Sequence, residues 1–140
     1  MMRSCLVGLI AMLLVYGSAN ALAQTPQEKA LAKKRYKVGE QLYKISQYDR
    51  ALEEFEKAYK LYPLPEMLDD IARCHEGLAN LEKAIETYKL SLQKQPASPH
   101  ASVIRARIKS LEERLARKKK AEQEKADAAA AKAKAEQEKA

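Results

Sequence analysis

A chain of 140 residues with 46% hydrophobic and 32% charged residues, but few glycines and prolines and no tryptophan, has room for one modest core once any export signal is set aside. Its abundance of Ala, Leu, Lys and Glu is a helix former's composition and speaks against a sheet-based fold. The formal charge of +7 is spread among interleaved Glu and Asp and forms no basic stripe with aromatics, which excludes a nucleic-acid partner on present pattern.

The first segment decides the compartment. Arg3 is followed by an apolar run from Cys5 to Tyr16, then small residues and Ala21-Leu22-Ala23. The run is shorter than the roughly 20 residues a membrane-spanning helix requires, so residues 1–23 read as a signal peptide cut before Gln24, ahead of an uncleaved anchor. Cys5 precedes the apolar run, which is not where a lipid-bearing cysteine sits. The exported chain, periplasmic or otherwise outside the cytoplasm, then keeps only Cys74, so no internal disulfide is available to it.

Residues 24–116 form the next unit. Thr25-Pro26-Gln27-Glu28 is a helix start, with Thr25 as N-cap, Pro26 in the first turn and Glu28 closing a capping box. A first helix to about Ile45 is expected to bury the stripe Leu31, Val38, Leu42 and Ile45. After Ser46-Gln47, a second helix from Tyr48 to Tyr62 presents Ala51, Leu52, Phe55, Ala58, Tyr59 and Tyr62, and Pro63-Leu64-Pro65 ends it. A third, about Glu66 to Leu78, turns Leu68, Ile71, Ala72, His75 and Leu78 inward. A fourth, Leu81 to about Gln95, does so with Ala84, Ile85, Tyr88 and Leu92 before Pro96 stops it. Ser98-Pro99 opens a fifth, whose stripe Ile104, Ile108, Leu111 and Leu115 makes it an amphipathic cap on the fourth.

The second helix pair repeats the first. Ala51, Phe55, Ala58 and Pro63 match Ala84, Tyr88, Ser91 and Pro96, each separated by 33 residues, as are Gly39 and Ala72 and the turn residues Ser46 and Ala79. Small residues let antiparallel helices approach, an aromatic fills the gap between them, and proline closes the unit. These residues, over roughly Ala32 to Leu115, resemble the tetratricopeptide repeat family, and Leu68–Leu78 looks like a repeat of that family in bacterial envelope proteins. Leu68 stands where the family has a large aromatic, and Ser91 where it has the last alanine. The resemblance implies an all-α fold: two repeat units and a capping helix stacked as a short α-solenoid.

Residues 117–140 contain no large apolar side chain, and Ala121–Ala126 recurs as Ala135–Ala140. The segment resembles the Ala/Lys/Glu-rich linkers of TolA-type envelope proteins. It is expected to be a long solvated helix held by propensity and by opposite charges three or four apart, with only a weak alanine seam for self-association as a coiled coil.

No catalytic, metal or cofactor site is expected. Cys74 and His75 are helix neighbours pointing about 100° apart, too divergent to share a proton, and both fall on the core side. Nothing resembles a glycine-rich phosphate loop or a small-molecule substrate site. Function therefore falls to a surface. In the resembled family the first helix of each pair lines a groove for an extended peptide or a partner's helix. That implies a groove of Lys33, Tyr36, Lys37, Glu40 and Tyr43 alongside Glu66, Asp69, Arg73 and Glu76; the competing reading is that Tyr36 and Tyr43 only pack and the charges keep the surface soluble. Glu66, Asp69 and Asp70 argue against a carboxy-terminal acidic peptide as its ligand. Two functions are expected to compete: a periplasmic adaptor or scaffold binding another envelope protein, or a strut whose basic tail contacts peptidoglycan or an anionic membrane surface.

Overall fold

The computed structural model describes residues 25–138; the expected signal peptide and its cleavage site lie outside them. Five helices follow one another: α1 (Pro26–Lys44), α2 (Tyr48–Leu61), α3 (Met67–Gly77), α4 (Leu81–Lys94) and α5 (Ala101–Glu138). The first start signal is realised in full. Thr25 Oγ1 accepts from the Glu28 amide at 3.2 Å, and Glu28 Oε2 accepts from the Thr25 amide at 2.7 Å. The last starts later than expected, because Pro99 and His100 form a turn and the helix opens at Ala101.

Each helix packs on the next, α1 on α2, α2 on α3, α3 on α4 and α4 on α5. Three-residue links within each pair leave the partners antiparallel. The links also repeat in geometry. Ser46 and Ala79, 33 residues apart, both adopt left-handed backbone, at φ 59° and 57°. Around each, two amides turn back onto the helix end: Ser46 N to Tyr43 O and Gln47 N to Leu42 O, then Ala79 N to Glu76 O and Asn80 N to His75 O. This is the closed C-terminal turn that usually carries glycine, made here twice without it.

Two apolar clusters form the core. The first joins Ala51, Phe55, Leu68, Ile71 and Cys74; the second joins Ala72, Leu81, Ala84, Ile85 and Tyr88 to Ile104, Ile108 and Leu111 of α5. Phe55 and Tyr88, the repeated aromatics, are each only 1% exposed. The stripe of α5 therefore seals α4 as its spacing implied. One expected face is corrected. Of the expected stripe, Leu42 packs partly buried on the first cluster, but Leu31, Val38 and Ile45 are 43%, 38% and 63% exposed, and Ala32 and Gly39 are the buried residues of α1. Each buried residue follows a stripe residue by one position, about 100° around the helix. Small side chains let α2 come close on that side: a Cβ at Gly39 would stand 2.8 Å from the Phe55 ring. Close approach at Ala32 and Gly39, with Tyr36, Leu42 and Tyr43 packed beside it, orients α1.

Candidate functional site

Helices α1, α3 and α5 share one face of the stack, and three adjoining clefts run across it. The first, about 350 Å³, lies between the first half of α1 and the α2–α3 link. Tyr36, Tyr62, Leu64 and Met67 give it an apolar lining, with Lys29, Lys33 and Glu66 around it. The second, about 440 Å³, spans from Tyr36 across Glu66, Asp69 and Arg73 to His100 and Val103. The third, about 360 Å³, lies between Glu40 and Tyr43 of α1 and Arg73 of α3. Tyr36 and Glu66 are common to the first and second, and Asp70 and Arg73 to the second and third.

In the middle of this face Asp69, Asp70 and Arg73 are held by side-chain contacts. Tyr36 OH donates to Asp70 Oδ2 at 2.6 Å, and Arg73 Nη1 donates to Asp70 Oδ1 at 3.2 Å. The Arg73 guanidinium also stands 4.6 Å from the centre of the Tyr43 ring, a cation–π distance. Asp69 Oδ1 accepts from the hydroxyl of Ser91 at 2.6 Å, tying α3 to α4. Burial raises the Asp69 carboxyl above its usual range against the pull of that bond, and burial followed by the Asp70 carboxylate raises the Tyr36 phenol.

Seven of the nine residues expected in the groove line these clefts: Lys33, Tyr36, Glu40, Tyr43, Glu66, Asp69 and Arg73. Lys37 is exposed on α1 but lines none of the three. Glu76 is turned to a different task. Its Oε1 accepts from the buried Tyr88 hydroxyl at 2.8 Å and stands 3.5 Å from Arg107 Nε, so it fastens α3 to α4 and α5. Sequence reasoning missed Lys29, Tyr62, Leu64 and Met67 on the first cleft and Val103 on the second. Lys29 precedes Lys33 by one helical turn, and Leu64 is an apolar residue held between two prolines. Both were visible signals.

Neither protein-family models nor curated proteins match this chain. The reading of the site therefore rests on its own chemistry. Cys74 is buried and its thiol is pushed up to about 12 by burial, so it stays protonated near neutral pH. His75 Nδ1 is buried without a hydrogen-bond partner, and burial, aided by Lys83, lowers the imidazole's affinity for a proton. Among the described residues, no three His, Cys, Asp or Glu side chains are grouped as metal ligands, and no helix is long and apolar enough to cross a membrane. What the face offers is a graded trough: apolar at the α1 end, polar and charged beyond Tyr36.

Proposed function

We propose that this chain is an exported interaction module of the tetratricopeptide type, an adaptor in the bacterial cell envelope whose trough receives an extended segment of another protein. The observation that carries the reading is the continuity of the three clefts, whose shared walls join α1, α3 and α5 into one surface. Tyrosines and an arginine are held there by mutual bonds, so they offer stacking area and hydrogen bonding at little further entropic cost. The 33-residue repeat and the apolar leader of the sequence support the family type and the compartment.

A second reading is favoured by α5. It continues as one helix to Glu138, well past its last packed residue, Leu115, with every later side chain exposed. As a strut, this extension would itself contact peptidoglycan or an anionic membrane, and the stack would only anchor it.

Photo-crosslinking in cells separates the two. A crosslinking amino acid replaces Lys33, Glu40 or Glu66 in the trough, Glu53 or Glu86 on exposed faces of α2 and α4, or Glu124 on the extension. The adaptor reading expects protein adducts from the trough positions alone, unchanged when the chain is stopped before Arg117. Adducts confined to position 124 would favour the strut and remove the adaptor.

A further inference from the structure

The trough has a chemically distinct end, and resting on the adaptor reading above, its ligand can be specified. Within the first cleft, about 350 Å³ and roomy enough to admit a large side chain, Tyr36, Tyr62, Leu64 and Met67 supply an apolar lining. Leu64 is 40% exposed there, an apolar surface left open to water. Lys29 and Lys33 stand at its edge, four residues apart on one face of α1. Lys29 Nζ is 5.3 Å from the centre of the Tyr62 ring, which places this cation beside the opening. Among the described residues neither lysine takes part in an ion pair.

Of the three acidic residues that the sequence set against an anionic ligand, Asp69 and Asp70 line the second cleft and not the first, and Asp70 is paired with Arg73. Asp69 is bonded to Ser91, and Asp70 to Tyr36 and Arg73. Only Glu66 remains beside two lysines. We infer that the first cleft takes a bulky apolar side chain from a peptide segment whose adjoining residues are acidic, the side chain entering between Tyr62 and Met67 and the carboxylates meeting Lys29 and Lys33. The adjoining polar cleft, with Ser98 and His100 on its wall, suits the peptide backbone that continues from such a residue. A lipid would require apolar surface along a whole acyl chain, and the trough turns polar beyond Tyr36.

The test uses the full chain and four amidated fluorescent nonapeptides on a Gly/Ser frame, bearing at the centre Leu-Glu-Glu, Leu-Lys-Lys, Ser-Glu-Glu or Ser-Ser-Ser. Fluorescence anisotropy is expected to find the Leu-Glu-Glu peptide bound at least tenfold more tightly than each of the others. K29E/K33E, both at exposed positions, is expected to shift that preference to Leu-Lys-Lys with the helical content unchanged. Leu64→Ser is a second variant in case the double reversal unfolds the chain; it should bring Leu-Glu-Glu down to the level of Ser-Glu-Glu. Equal affinity for the four peptides, no binding of Leu-Glu-Glu at 1 mM, or a glutamate preference surviving K29E/K33E would each overturn the inference. So would binding to phosphatidylglycerol vesicles that Leu-Glu-Glu does not displace, which would make the cleft a lipid site. If trough crosslinks form in cells while the peptides fail to discriminate, this inference falls and the adaptor reading stands.

Discussion

At the residue scale, His75 is a buried side chain whose protonation the fold opposes. It is 7% exposed, its Nδ1 has no partner, and of the nearest charges Lys83 opposes protonation while Glu56 favours it weakly. The neutral imidazole is therefore preferred in the folded chain, and its proton affinity lies below the ordinary value of 6.5. A base with a depressed folded pKa favours folding fully above the unfolded value and loses that contribution as pH falls, because the unfolded chain binds the proton first. Stability is expected to drop between about pH 7.5 and pH 5, the span around that ordinary imidazole value. Urea denaturation across this range measures the drop, and His75→Met, which fills the space without titrating, should flatten it. A variant with the wild-type slope would mean that the loss belongs to other groups.

At the scale of elements, the same small-residue logic that hid the true face of α1 also makes a prediction. Hydrophobic spacing selected Leu31, Val38, Leu42 and Ile45, of which only Leu42 packs on the core, since leucine, valine and isoleucine carry the strongest periodic signal. Ala32 and Gly39 carry almost none, yet they set the helix–helix contact. The sealing stripe of α5 was readable because its side chains are both large and buried. So was the repeat, because its residues recur in register. Most of the trough was readable too, from helical phase, but Glu76 was not: its partners Tyr88 and Arg107 lie 12 and 31 residues away and meet it only in the folded stack. Gly39→Ala tests the contact itself. In an open helix the change would gain about 1 kcal/mol of propensity. Here the new Cβ would stand 2.8 Å from two atoms of Phe55, a ring enclosed by Ala51, Leu68 and Ile71. Overpacking of this kind costs about 1–3 kcal/mol. A net loss on the order of 1 kcal/mol is expected in urea unfolding. A gain would show that α1 rests on α2 more loosely than the ring position indicates.

For the whole molecule, α5 is two things along one axis. Up to Leu115 it is the last layer of the core; from Arg117 onward it is a fully exposed helix, joined to the stack by little more than the ion pair of Lys119 with Glu82 at 3.5 Å. The pair is exposed on both sides, and such contacts contribute about 0–1 kcal/mol. Stopping the chain after Ala116 should therefore leave the thermal midpoint nearly unchanged, while helical ellipticity falls by the signal of the lost segment. Stopping it after Pro99 is a different matter. Ile104, Ile108, Leu111 and Leu115 are removed together, and Leu81, Ile85 and Tyr88 lose their cover. At about 1.5–3 kcal/mol for each large side chain, the loss approaches the roughly 5–15 kcal/mol that holds a small domain folded. The shorter chain is expected to lose its cooperative melting transition, or to keep it only by pairing its open α4 faces, which sedimentation would reveal as a dimer. A folded monomer ending at Pro99 would place the stabilising core wholly within the two helix pairs and leave α5 as an appendage throughout its length.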